Sequence, residues 1–196
     1  MTPEVDALLD YWFGPLDEQG LCIETRNPLW FQRQEDTDDF CRENYADLLE
    51  SAKRGELDTW QETDNGLVAL VVLMDQFSRN IHRDTPDAFA ADAPALQVAQ
   101  SAIKAGRDRH LPSVHRAFLY MPLEHSEDLA IQEQCVALFE ALAAEVPEPQ
   151  ITSFARYAVA HRDVIARFGR FPHRNAILGR PSTPEELTYL EKHGGF

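Results

Sequence analysis

Apolar residues recur every three or four positions along most of the chain, which is the spacing of one buried face of an α-helix. Short polar, Gly-containing or Pro-containing segments separate the stretches that show it. Ser and Thr precede several of these stretches, where their hydroxyl groups can cap a helix N-terminus. We therefore predict helices that start after Thr2, span 36–54, 64–82, 127–146 and 151–168, and start after Thr183, with shorter helices from Pro94 to Ala105 and from Ser113 to Pro122.

The segment 64–82 contains an unbroken apolar run from Leu67 to Met74. Such a run fits either a buried strand or a buried helix. No second run of this kind exists to pair with it in a sheet, so we predict a central helix that is covered on all sides. Residues 16–34 are predicted to form an extended loop, with Trp30 and Phe31 in the core.

These elements predict an all-α protein of about eight helices and no sheet. Because most of the connecting loops are short, neighbouring helices are expected to pack as antiparallel pairs. No low-complexity linker divides the sequence. We therefore expect one helical domain over residues 1–196.

Composition and charge exclude several classes of protein. The 196 residues carry a net charge of −15, and 44% of them are hydrophobic. The acidic surplus argues against binding of nucleic acid, and the apolar content argues against disorder. The sequence has no apolar run long enough to span a membrane and no signal peptide, and its three cysteines form no CxxC pair. We expect a cytoplasmic protein without a metal site or cofactor.

Three polar segments interrupt the apolar pattern. The first follows the central apolar run and contains Asp75, Arg79 and Asn80; Asp75 and Arg79 are four residues apart, on one helical face. They form either a ligand site or an ion pair that joins this helix to its neighbours. The second segment runs from Tyr120 to Glu127 across Pro122. Capping explains Ser126, Glu127 and Asp128, but not Glu124 and His125, whose side chains could form an acid–base pair.

The third polar segment, residues 161–180, is rich in arginine. Five arginines and one aspartate give it a net charge of +4, so the remaining residues carry −19. Arginines this close together repel one another unless they meet carboxylates of the same chain or an anionic ligand. Both alternatives stay open. The candidate residues in this segment are His161, Arg162, Asp163, Arg167, Arg170, His173, Arg174, Asn175 and Arg180.

Four ordered motifs make the chain resemble the bacterial family known as domain of unknown function 924 (DUF924). They are Leu9–Gly14, Asp75–Asn80, Tyr120–Glu127 and Arg167–Asn175, the last followed by Leu178–Arg180. The resemblance covers about residues 5–190 and departs from the family at Ser78, where proline is common. It implies an all-α fold similar to tetratricopeptide-like helical arrays. It implies no established activity, cofactor or catalytic residue.

The residues favour a polar pocket that binds a small phosphate- or carboxylate-bearing ligand. Arg79, Arg170 and Arg174 would contact the anion, and His125 and His173 could donate protons, while the question of turnover stays open. The alternatives are a module that binds an acidic peptide and a buried polar network that only holds the loops. We assign no oligomeric state.

Overall fold

The computed structural model describes residues 2–195, and that range contains no β-strand. An isolated antiparallel bridge joins Leu16 and Cys22. The predicted all-α class is confirmed, and the tetratricopeptide-like arrangement stays a prediction. The helices are α1 (Pro3–Phe13), α2 (Asn27–Phe31), α3 (Glu35–Lys53), α4 (Asp64–Val72), α5 (Ser78–Ile81), α6 (Asp92–Lys104), α7 (Ser113–Glu124), α8 (Leu129–Glu145), α9 (Pro149–Phe168) and α10 (Pro184–His193).

The centre of the molecule is one long helical segment made of α4, a π-helical turn over Leu73–Phe77, and α5. Every residue from Leu67 to Phe77 is buried, and helices α1, α6 and α7 pack against α4 while α3 packs against α5. A helix that is apolar all round must be covered all round. The prediction of a central helix is therefore confirmed. The π turn, which places Asp75 in the interior, was not predicted.

Aromatic side chains form much of the core around this segment. Trp12, Phe13 and Phe118 are fully buried and meet edge to face, with ring centroids 5.1 to 6.0 Å apart. Trp30 packs against Phe118, and its Nε1 donates a hydrogen bond to the carbonyl oxygen of Trp12 at 2.9 Å. Burying a side chain of this size stabilises the fold by roughly 2–3 kcal/mol. The prediction that Phe31 is buried is wrong, because it ends the short helix α2 and is 56% exposed.

The turn between α7 and α8 sets the position of the second polar segment. Pro122 lies inside α7, which continues to Glu124, whereas we predicted that the helix would break at this proline. The N-cap of α8 is Asp128 instead of the predicted Ser126, and its side chain accepts hydrogen bonds from two backbone amides of the first turn. The Gln132 side chain donates to the carbonyl oxygens of Glu124 and Ser126. These bonds satisfy carbonyl groups at the C-terminal end of α7 that have no partner within the helix, and they fix the last residues of α7.

The last helix, α10, has a side-chain cap at its N-terminus. α10 starts after Thr183 as predicted, and Thr183 and Glu186 form a capping box in which each side chain bonds the other's backbone amide. Among residues 2–195, no helix combines the length and the apolar character that crossing a bilayer requires.

Candidate functional site

All three polar segments of the sequence meet at one cavity. Its volume is about 550 Å³. The walls come from the α4–α5 segment, the end of α7, one face of α9 and the loop that follows α9. The predicted site residues that line it are Arg79, Asn80, Glu124, His125, His161, His173 and Arg174.

Asp75 lies directly behind this wall and orients His125. The Asp75 side chain is fully buried, and its Oδ1 lies 2.7 Å from Nδ1 of His125. Burial alone would raise the pKa of Asp75, but His125, Arg79 and Gln76 lower it to about 2. The group is thus a carboxylate at neutral pH and can only accept, so Nδ1 of His125 donates and Nε2 is left as the basic nitrogen.

Burial affects the protonation of His125 and His173, the two histidines that are predicted to donate protons. Burial, assisted by the charge of Arg79, lowers the pKa of His125. Burial and the adjacent Arg174 lower the pKa of His173 to about 4. Both imidazoles are therefore neutral at pH 7. In that state they suit proton acceptance better than donation.

A second histidine–carboxylate pair stands beside the first. Nδ1 of His161 lies 3.0 Å from Oε1 of Glu124 and 2.8 Å from the carbonyl oxygen of Tyr157. The rings of His125 and His161 are 6.2 Å apart. Oε2 of Glu124 is buried and has no hydrogen-bond partner. This oxygen is an acceptor that a hydroxyl or ammonium group of a ligand could satisfy.

Arg174 is the least neutralised of the buried cations in the wall. It is 6% exposed, and its guanidinium lies between the rings of Phe89 and Phe171, 4.8 and 4.5 Å from their centroids. Its contact with a carboxylate is a long one, 3.5 Å from Nη1 to Asp92, and its Nε is buried without a partner. Burial and the nearby charge of Arg79 lower the pKa of Arg174 to about 10, so it stays charged at neutral pH.

Asp92 forms close hydrogen bonds with Arg79, and this leaves Arg174 without a close carboxylate partner. Both terminal nitrogens of Arg79 donate to the Asp92 carboxylate, at 2.8 and 3.2 Å. Nη1 of Arg79 also donates to the carbonyl oxygen of Asp75. One carboxylate therefore lies between two guanidinium groups and is hydrogen-bonded to only the first of them.

Comparison with known proteins places the chain in a family. Residues 8–194 match the family described as bacterial protein of unknown function, DUF924. The chain belongs to the DUF924 family. A protein of unknown function from Agrobacterium tumefaciens has a similar solved structure: 36% of the residues are identical, the match covers 96% of this chain and 97% of that one, and the TM-score is 0.80. No match was found among curated proteins.

Several arginines of the third polar segment, residues 161–180, lie outside the cavity and pair with carboxylates of the same chain. Arg170, which we expected to contact the anion, instead donates two hydrogen bonds to Glu186, at 2.7 and 2.9 Å. It is taken up by this pair because α10 packs its first turn against the loop after α9. The other pairs of this kind are Arg162–Asp163, Arg167–Glu185 and Arg180–Glu127.

Two further candidates belong to separate polar clusters. The Tyr120 hydroxyl donates to Asp108 and accepts from Arg116, both at 2.6 Å, inside the core. Asn175 is fully buried and bonds Ser182 and Arg180 in the loop after α9. Neither residue lines the cavity. The three polar segments therefore contribute residues that line the cavity and also residues that form polar contacts around it.

The sequence reasoning missed the aromatic part of the wall. Trp30, Phe31, Phe154 and Tyr157 line the cavity on the side of α2 and α9. Helical periodicity predicted that aromatic residues of this kind lie in the core. The position of Tyr157 could have been predicted, because it lies one helical turn before His161 and therefore on the same face of the helix. Among residues 2–195, no three His, Cys, Asp or Glu side chains form a group that could hold a metal ion.

Proposed function

We propose that this cavity binds a small organic anion that bears a phosphate or carboxylate group, with Arg174 as its principal contact. The observation that carries the proposal is the state of Arg174: a buried guanidinium whose Nε lacks a partner and whose nearest carboxylate stands 3.5 Å away. Removing a cation from water is costly unless an anion compensates it. A bound anion supplies that compensation, and the planar guanidinium offers it paired donors.

The surroundings of Arg174 support the same function. The rings of Phe89 and Phe171 both pack against the guanidinium, so little side-chain entropy remains to be lost when a ligand binds. A volume of about 550 Å³ is in the range of small-molecule sites. That volume favours a small molecule over the acidic peptide considered as the alternative. The oriented Nε2 of His125 could accept a proton from such a ligand.

Thermal unfolding with a panel of probes tests this proposal. The probes are orthophosphate, phenyl phosphate, succinate and benzoate, each compared with sodium chloride of the same ionic strength. A ligand present at one hundred times its Kd should add about 2.7 kcal/mol to the free energy of unfolding. We expect at least one probe to stabilise the protein and Arg174→Gln to abolish that stabilisation.

Arg170→Gln is the matched control. It removes an arginine of the same loop that lies outside the cavity, so the stabilisation should persist. Circular dichroism establishes that both variants fold. If no probe stabilises the wild-type protein, or if Arg174→Gln responds as the wild type does, the anion site is refuted.

A further inference from the structure

We infer that the ligand of this cavity is an amphiphilic anion, with an aromatic or other apolar group joined to its charged group by a short arm. The inference rests on the proposed function, because it takes Arg174 as the position of the charge. It adds a second recognition element, which is the aromatic rim formed by Phe31 and Tyr157.

The first argument is the exposure of this rim. Phe31 is 56% exposed and Tyr157 is 57% exposed, although both line the cavity. The ring of Phe31 is also 6.1 Å from the buried ring of Phe154. Large apolar side chains that stay exposed around a concave site are typical of a surface that a ligand covers.

The second argument is the order of residues along α9. Phe154, Tyr157 and His161 occupy one face of this helix and all line the cavity. With a rise of about 1.5 Å per residue, the four residues from Tyr157 to His161 carry the wall roughly 6 Å from its aromatic rim to its histidine part. His161 is also the part of the wall that adjoins the cation, since its ring lies 5.6 Å from Phe171, which packs against Arg174.

These positions give the cavity two chemically different ends. The buried charged and imidazole groups gather around Arg174 and His161, and the aromatic groups gather at α2 and earlier along α9. Arg33 and Asp84 also line the cavity, but they are exposed and pair with each other at 2.8 Å. A ligand that has only a charge would leave the aromatic rim in water. A ligand with an apolar arm of the right length would cover both ends and remove the exposed aromatic surface from water.

A homologous series measures the length of the arm. We expect calorimetric affinity to rise at least tenfold from acetate through phenylacetate to 4-phenylbutyrate, and 6-phenylhexanoate to gain little more. Phe31→Ala and Tyr157→Ala should each reduce the affinity for 4-phenylbutyrate several-fold and leave acetate and orthophosphate unaffected. Both side chains are exposed, so the variants are expected to fold.

The outcomes separate this inference from the anion site on which it rests. If acetate, orthophosphate and 4-phenylbutyrate all bind with similar affinity and lose it in Arg174→Gln, the anion site stands and the apolar arm is refuted. If 4-phenylbutyrate binds better but the rim variants do not weaken it, the assignment of the rim is wrong. If none of the probes binds, both proposals fail.

Discussion

Buried ionisable groups at single positions tie the stability of this protein to pH. His115 shows this most simply, because its environment contains little besides apolar side chains. Its ring lies 4.5 Å from the ring of Phe13, and burial lowers the pKa of His115 to about 4. Its Nδ1 has no hydrogen-bond partner. The folded protein thus holds this imidazole neutral over a range of pH in which the unfolded chain protonates it.

We predict that the free energy of unfolding decreases as the pH falls from about 6.5, the pKa of an unfolded histidine, toward 4. Between these values the unfolded state binds more protons than the folded state, so acid favours unfolding. The loss from His115 is about 2 kcal/mol at pH 5. Urea denaturation at pH 7, 6 and 5 measures it.

His115→Phe should flatten this pH dependence, because it removes the titrating group and keeps a ring against Phe13. The exposed His110 provides the control, and His110→Gln should leave the slope unchanged. His173, whose pKa burial also lowers to about 4, should contribute a further loss over the same range. Equal slopes in the wild type and His115→Phe would contradict the assignment.

At the scale of elements, local chemistry predicted the helices well and their details less well. The helix start after Thr183 and the helix over the apolar run from Leu67 to Met74 depend on neighbours in sequence, and both predictions are confirmed. Pro122 and Phe31 behave differently from the prediction because tertiary contacts decide them. Pro122 stays helical inside a fully buried helix, and Phe31 ends a short helix at the cavity.

The candidate site likewise has features that follow from local sequence and features that depend on tertiary contacts. The three polar segments could be recognised because their residues contrast with the apolar pattern around them. The pairing of each arginine could not, since it depends on distant carboxylates such as Asp92 for Arg79 and Glu186 for Arg170. The π turn at Asp75 was also beyond sequence reasoning, because no local residue requires it.

The close contact between the start of α4 and the preceding 3₁₀ turn gives a prediction at this scale. A Cβ atom at Gly66 would stand 2.2 Å from the carbonyl oxygen of Trp60, which is backbone and cannot turn aside. Alanine favours helices over glycine by about 1 kcal/mol. We predict that Gly66→Ala is nevertheless destabilising by roughly 2 kcal/mol, because α4 must shift.

Urea denaturation measures this effect. Ser101→Ala, at an exposed position of α6, is the control for intrinsic helix preference and should be neutral or slightly stabilising. A Gly66→Ala protein as stable as the wild type would show that α4 and the 3₁₀ turn can separate without loss.

Over the whole molecule, the net charge of −15 opposes the compact state. Exposed ion pairs such as Arg33–Asp84 offset little of this repulsion. We predict that raising sodium chloride from about 10 to 100 mM stabilises the protein, because the screening length falls from about 30 to 10 Å. Thermal unfolding at fixed pH measures the effect. Glu140→Lys, an exposed change on α8, should weaken it, and a fall in stability with salt would contradict the prediction.

The position of Trp30 makes the cavity visible by fluorescence. Trp30 lines the cavity and also packs against Phe118 and Phe154, whereas Trp12 is sealed in the core and Trp60 lies outside the lining. Of the three indoles, Trp30 is therefore the one whose emission should respond when a molecule occupies the site. Trp30→Phe should lose this response and keep only the constant emission of the other two, so occupancy could be followed in the wild type without a label.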